Sequence, residues 1–130
     1  MRTEKDVEAY LLRLHRRYRA LDGESGTFLV ESSGDQPPVA VRVDPPLVVV
    51  RTHVGDVKDA PDEAALYKQL LELNAGQLVH ASYGLEDGRV VLSSALELEN
   101  LDFNELQATL DEIDVALATT IPGLRTQTSA

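Results

Sequence analysis

The sequence predicts an α+β domain in which an antiparallel sheet packs against helices. Three segments space their apolar residues three and four positions apart, as amphipathic helices do, and five shorter segments alternate or run continuously apolar, as strands do. Strands also follow strands, without the strict alternation of a parallel α/β fold. The predicted order is α-β-β-β-α-β-β-α. The 130 residues suffice for a single domain, 1–130, with one core.

The first helix is predicted to begin after Thr3, which can cap it, and to end at Leu21-Asp22-Gly23. The basic stretch from Arg13 to Arg19 is predicted to be a solvated face of this helix, because runs of charge usually are. The apolar face would consist of Val7, Tyr10, Leu11, Leu14 and Tyr18.

Three strands are predicted next, with loops between them. Residues 27–31 form a short strand, and residues 32–38 a loop. Residues 39–43 alternate between valine and other residues, which predicts a strand with one buried face. Residues 47–50 are continuously apolar, which favours a central strand covered on both sides. Residues 55–61 are predicted to be a polar connection.

The second helix is predicted over residues 62–75, with Pro61 near its first turn and Gly76 as its stop. Its apolar residues form two adjacent stripes, which together are wider than one sheet face requires and predict contact on two sides. The first stripe contains Leu66, Leu70 and Leu73, and the second contains Tyr67 and Leu71.

A hairpin and a final helix complete the predicted fold. Leu78–Leu85 and Arg89–Leu96 are joined by Asp87-Gly88, a pair that tolerates the positive φ angles of a type I′ turn. His80 would lie in mid-strand, on the opposite face from its two neighbours. The last helix would begin at Asn100-Leu101-Asp102, with Asp102 and Glu105 as a capping box, and end at Pro122-Gly123 before a flexible tail, 124–130. Its apolar face contains Leu106, Leu110, Ile113 and Leu117.

Composition and charge exclude several classes of function. The net charge is −10; residues 1–20 carry six basic and three acidic side chains, which leaves −13 for residues 21–130. So acidic a body predicts binding neither to nucleic acid nor to an anionic membrane. The chain has no cysteine, no apolar run long enough to span a bilayer and no apolar segment near Met1 that resembles a secretory signal. A soluble cytoplasmic protein is therefore predicted.

The sequence contains no recognised catalytic or cofactor motif, which predicts a protein that is not an enzyme and holds no cofactor or metal. His53 with Asp56 and Asp59 is a candidate for a divalent ion, but the loop lacks a recognised ligand spacing, and a structural role is favoured. His80 is predicted to be a half-exposed or hydrogen-bonded histidine and not a catalytic base. The carboxylates among residues 97–102 and 111–114 are predicted to lie at caps and on solvated helix faces. An enzyme or ligand carrier that uses the His53 loop stays as a further hypothesis.

Residues 66–117 resemble a known family. Leu70-Leu71-Glu72-Leu73-Asn74-Ala75 leads into Tyr83-Gly84-Leu85-Glu86-Asp87-Gly88-Arg89-Val90-Val91-Leu92, and then into Leu96-Glu97-Leu98-Glu99-Asn100-Leu101-Asp102 with Glu105-Leu106. This pattern resembles the CesT-like type III secretion chaperones and, equally, the YbjN-like domains that share their fold. Glu86 replaces the usual Asp of the family's turn, and Glu97 stands where Pro is frequent.

The resemblance implies a bacterial, cofactor-free homodimer that binds an extended segment of a partner protein. It also implies two sets of contact residues, each of which is open to the simpler interpretation of ordinary core. The candidate partner-binding residues are Tyr10, Leu14, Tyr18, Phe28, Leu29 and Val30. The candidate dimer residues are Leu66, Tyr67, Leu71, Val79, Ala81, Val90 and Leu92. The alternative implied function is a YbjN-like stand-alone regulatory or sensor-associated domain with an unknown partner.

Overall fold

A computed structural model describes residues 3–21, 23, 26–32 and 36–119. Within these ranges the chain forms three α-helices and a six-stranded antiparallel sheet, which confirms the predicted fold class. Four predicted features lie wholly or partly outside the described residues: the end of the first helix at Asp22, the end of the last helix at Pro122-Gly123, part of the 32–38 loop, and the 124–130 tail. The elements are α1 (Glu4–Arg13), β1 (Tyr18–Ala20), β2 (Thr27–Val30), β3 (Val39–Asp44), β4 (Leu47–Asp56), a 3₁₀ turn (Val57–Asp59), α2 (Glu63–Gly76), β5 (Ser82–Glu86), β6 (Arg89–Glu97) and α3 (Phe103–Thr119).

The strands lie in the order β1-β2-β3-β4-β6-β5, so β1 and β5 are the edges of the sheet. One face of the sheet packs against the helices, and residues that alternate along each strand supply its share of the core. Val41 of β3 lies opposite Val50 of β4, and both are fully enclosed. Leu11 of α1, Leu66 of α2 and Ile113 of α3 complete the same core.

The first helix ends earlier than predicted, and the segment after it is a strand. α1 begins after Thr3, whose backbone N–H donates to the Asp6 carboxylate at 2.7 Å. It ends at Arg13, and His15 takes a left-handed φ of 58°, which turns the chain. Tyr18 then packs edge-on against Phe28 of β2 with ring centroids 5.8 Å apart. Burial of Tyr18 on the sheet therefore overrides its helix-like spacing from Leu14.

The cations of residues 13–19 do not form one solvated helix face. The Arg13 guanidinium lies 4.0 Å from the centre of the Phe103 ring. Arg16 reaches α3, where it pairs with Asp111 at 3.2 Å and with Asp114 at 2.5 Å. These contacts tie the end of α1 to α3. The predicted helix face is wrong for Arg16, Arg17 and Arg19, which lie beyond the end of α1, whereas Arg13 is exposed on α1 as predicted.

β4 is central, as predicted, but it is longer than predicted and is covered by helices on one face alone. It extends to Asp56 through an irregular register between His53 and Gly55, and so absorbs the start of the predicted polar connection. Val48 and Val50 are fully enclosed, whereas Leu47 is 39% exposed on the other face. The continuous apolar run 47–50 therefore does not mean burial on both faces, because one face of the sheet is open in the single chain.

The hairpin turn has the predicted geometry, but the first strand of the hairpin begins four residues later than predicted. Asp87 and Gly88 have φ angles of 52° and 75°, as a type I′ turn requires. β5 begins only at Ser82, so His80 lies in the connection that follows α2 instead of in mid-strand. Asp102 caps α3 as predicted, since its carboxylate accepts the Glu105 N–H at 2.7 Å. Within the described residues no helix is long and apolar enough to cross a bilayer.

Candidate functional site

The corner where α1 meets the β1 edge of the sheet holds part of the predicted partner-binding set. Tyr18 is half-buried there and Leu14 is half-buried at the end of α1, whereas Leu29 is half-buried on the other face of the sheet, opposite Arg19. Phe28 and Val30 are 5% and 0% exposed, so they belong to the core and have no surface for a partner. For those two residues the simpler interpretation, ordinary core, is correct.

Tyr10 lies on the opposite side of α1 from this corner. Its hydroxyl donates to the Leu101 carbonyl at 3.2 Å, and its ring packs edge-on against Phe103 at the start of α3. Tyr10 and Glu8 are two positions apart, which places them on different sides of a helix. The structure therefore does not bring Tyr10 together with Tyr18.

The helix side of the corner combines a tyrosine, a carboxylate and an exposed leucine. The Tyr18 hydroxyl donates to the Glu8 carboxylate at 2.9 Å. Burial, followed by this hydrogen bond and the charge of Glu8, raises the pKa of Tyr18. Leu12 follows Glu8 by one helical turn on the same side of α1 and is 62% exposed. Sequence reasoning missed Leu12, although its place outside the buried stripe of α1 was the available signal.

The backbone of β1 is open on its outer edge. The Leu21 N–H donates to Thr27 and the Glu31 N–H donates to Arg17, both at 2.9 Å. In an antiparallel pair these bonds occur at every second residue, so Arg17, Arg19 and Leu21 bond to β2. The N–H and C=O groups of Tyr18 and Ala20 therefore point away from β2. Such an edge can accept an extended chain as a further strand.

The other side of this edge faces the open surface of the sheet. Arg17 and Arg19 are exposed there, and neither makes an ion pair with any residue that the structure describes. A cleft of about 330 Å³ adjoins Arg19. It is lined by Arg19, Leu29, Glu31, Ser32, Gln36 and Pro38.

The predicted dimer residues divide into two groups. Tyr67 is half-buried, and Leu71 and Val79 are 69% and 83% exposed, so these three present apolar surface on and just beyond α2. The remaining four are at most 7% exposed and belong to the core of the single chain, which corrects their assignment to an interface. They are Leu66, Ala81, Val90 and Leu92.

Glu112 of α3 holds the connection that displays Val79. Its carboxylate accepts the backbone N–H groups of Val79, His80 and Ala81 at 2.9–3.0 Å. The Ser94 hydroxyl of β6 fixes the same segment by donating to the His80 carbonyl at 2.7 Å. Burial works to raise the pKa of Glu112, but the three N–H groups outweigh it and hold that pKa below its usual value. Glu112 is therefore an anchor, not the solvated carboxylate that the sequence predicted.

The open face of the sheet carries a second long-range ion pair that the sequence did not predict. Arg51 of β4 reaches across β6 to the Glu86 carboxylate on β5. This hydrogen bond lowers the pKa of Glu86. Glu86 also lies opposite Arg89 across the turn, as predicted. The pairing spans strands far apart in sequence, and for that reason no local spacing reveals it.

His53 lies at a polar cleft of about 790 Å³ between the hairpin turn and the start of α2. Asp56 lines this cleft with His53, whereas Asp59 does not. Lys58, Glu63 and Arg89 add charges of both signs, so the cleft has no clear preference for an anion or a cation. Across the described ranges no three His, Cys, Asp or Glu side chains are grouped closely enough to hold a metal ion.

The family model CesT_Tir_1 matches residues 1–129. No curated protein matches the sequence. Solved structures with the same fold include a chain of the heterodimeric ExoU–SpcU complex from the type III secretion system of Pseudomonas aeruginosa, at 16% identity and a TM-score of 0.69 over 89% of this chain and 95% of that chain. A chain from the complex of the Yersinia pestis type III secretion chaperone SycH with a YscM2 fragment is 15% identical, with a TM-score of 0.63 over 90% and 98%.

The fold also matches YbjN, a putative transcription regulator from E. coli, at 9% identity and a TM-score of 0.63 over 93% of this chain and 92% of that chain. Identities this low show a shared fold and not a shared partner. Both branches of the resemblance seen in the sequence are thus confirmed at the level of fold.

Proposed function

Because the chain belongs to the CesT_Tir_1 family of type III secretion chaperones, we propose that it is a cytoplasmic, non-catalytic chaperone that holds an extended segment of a partner protein. The observation that carries this proposal is the open edge of β1, where Tyr18 and Ala20 direct unpaired backbone groups outward. Leu12 is exposed on α1 one turn after Glu8, the hydrogen-bond partner of Tyr18. An added strand would gain backbone hydrogen bonds there and bury apolar surface.

The active form in this proposal is a homodimer. Leu71 and Val79 are the most exposed large apolar residues in the part of the chain that the structure describes, and they lie on and just after one helix. A two-fold axis near α2 would cover both residues on both copies with one self-complementary contact. The partner-binding edge β1 is at the opposite end of the sheet from β5, which α2 contacts. Dimer formation would therefore leave β1 free.

Co-purification from the native cells tests the proposal. The tagged wild-type chain and an Ala20→Pro variant would be compared, since proline removes the outward N–H of Ala20 and spares the bonds to β2. The proposal expects a stoichiometric protein with the wild type, its loss with the variant, and lower levels or solubility of that protein in cells without the chaperone. A partner that binds both forms equally would contradict the β1 edge as the site.

The second candidate is a YbjN-like regulator, which the likeness to the E. coli structure favours. The two candidates differ in what happens when the gene is deleted. If the protein is a chaperone, the protein level of its partner should fall and the partner's messenger-RNA level should stay unchanged. If it is a regulator, the messenger-RNA levels of its targets should change first. Measuring both quantities for the co-purified protein separates the two functions.

A further inference from the structure

We propose that the β1 edge selects a partner segment in which acidic and apolar residues alternate. This inference rests on the proposed function and adds the chemistry of the partner. Arg19 of β1 and Arg17 just before it lie on the open side of the sheet, and Tyr18 and Ala20 lie on the helix side, because side chains alternate between faces along the ladder with β2. An added strand alternates in the same way, so each of its side chains meets one of two surroundings.

The open side of the edge favours acidic residues. A strand paired with β1 places the side chains that lie opposite Arg17 and Arg19 within reach of both guanidinium groups. Glu31 lies opposite Arg17 and makes no ion pair with either arginine. The two exposed cations therefore keep a net positive charge toward an incoming strand.

The helix side of the same edge favours apolar residues and disfavours acidic ones. Side chains opposite Tyr18 and Ala20 would approach the phenol ring and the exposed Leu12. The Glu8 carboxylate, bonded to the Tyr18 hydroxyl, gives this side a negative charge. Since the two sides carry opposite charge, a partner strand shifted by one residue would put its acidic groups against Glu8. Charge therefore fixes the register of the strand as well as its composition.

Three labelled decapeptides test this selection by fluorescence anisotropy: one alternates Glu and Val, one Ser and Val, and one Lys and Val. We expect the Glu peptide to bind most tightly and the Lys peptide least, with differences that shrink between 0.05 M and 0.5 M salt as screening increases. Arg17→Glu combined with Arg19→Glu should weaken the Glu peptide by about tenfold and reverse the order of the three. Lys58→Glu combined with Lys68→Glu, an equal charge change at two exposed lysines outside β1, should leave the order unchanged.

Amide exchange at Tyr18 and Ala20 shows whether the peptide adds as a strand, since both N–H groups should gain protection when it binds. Ala20→Pro should abolish binding of all three peptides and keep the circular dichroism spectrum of the wild type. Equal binding of the three peptides would overturn the charge selection and leave the proposed function intact. Binding without protection of these amides, or no binding by any of the peptides, would overturn the edge as the acceptor. The co-purification experiment with the natural partner tests the proposed chaperone function independently of these peptides.

Discussion

Replacing Glu112 tests whether one carboxylate on α3 holds the connection between α2 and β5. Oε1 of Glu112 accepts three backbone N–H groups at 2.9–3.0 Å. Hydrogen bonds to charged groups contribute about 1.5–3 kcal/mol and neutral ones about 0.5–1.5 kcal/mol. Because the three N–H groups share one partly exposed oxygen, the difference between the two ranges is counted once. Glu112→Gln keeps an acceptor oxygen and loses the charge, so it should lower the free energy of unfolding by about 1 kcal/mol. Glu112→Ala also leaves the three donors to solvent and should cost about 2–3 kcal/mol.

The effect of Glu112→Gln should depend on pH, in a direction that the lowered pKa fixes. A carboxyl whose pKa is lower in the folded chain than in the unfolded chain stabilises the fold fully above the unfolded value, 4.5, and loses this contribution as pH falls through the folded value. The wild type should therefore exceed the Gln variant in stability at pH 7, and the difference should vanish in acid.

Urea unfolding followed by circular dichroism measures both effects, at one protein concentration because a dimer's stability depends on it. Amide exchange of residues 79–81 gives a local measure, since the variant should exchange faster there than elsewhere. Glu99→Gln, an exposed carboxyl in the turn before α3, is the matched control and should change stability by no more than about 0.5 kcal/mol. A Gln variant as stable as the wild type at pH 7, with unchanged exchange at 79–81, would refute the anchoring role.

Three further substitutions test the dimer, the core and the turn. Leu71→Glu should give a folded monomer by light scattering, near the chain mass of 14.2 kDa, because an unpaired charge buried in an interface costs several kcal/mol; a stable dimer would move the interface elsewhere. Leu70→Ala, at a side chain that is 5% exposed, should cost roughly 2–5 kcal/mol in urea unfolding and leave the dimer intact; a loss near zero would contradict its place in the core. Gly88→Ala should lower thermal stability because Gly88 has a φ of 75° and alanine is strained there, although nothing lies within 4 Å of the added Cβ; an unchanged melting temperature would argue against the type I′ turn.

The sequence predicted the elements whose signals are local. Each of these elements depends on residues that are close together in sequence, and all are present in the structure. They are the Asp87-Gly88 turn, the caps at Thr3 and Asp102, and the apolar stripe of α3. β1 was missed because it is three residues long and Tyr18 follows Leu14 at a helix-like spacing. Its strand state depends on pairing with β2, which a local pattern does not contain.

The candidate site was predicted in outline and not in its polar contacts. Spacing placed Leu66 and Leu71 on two adjacent stripes of α2 but could not show that Leu66 is enclosed in the single chain while Leu71 is exposed. Glu112 acts on residues more than 30 positions away. A weak signal for it exists, because Glu112 follows buried Thr109 by three residues and precedes buried Ala116 by four, at the border of the buried stripe.

The fold also changes the meaning of the basic stretch near the N-terminus. In the sequence, the residues from Arg13 to Arg19 form a concentrated stretch of positive charge. In the folded chain Arg13 stacks on Phe103, and Arg16 is shared between Asp111 and Asp114. What is left for a partner is Arg17 and Arg19, two residues apart on one side of a strand. That spacing matches alternate side chains of an extended peptide, about 7 Å apart. The phosphates of a nucleic-acid strand are the other anions that two such cations could bind. Glu8 on the other side of β1 and the acidic charge of the remaining chain disfavour the phosphates, which leaves an acidic peptide strand as the ligand that fits.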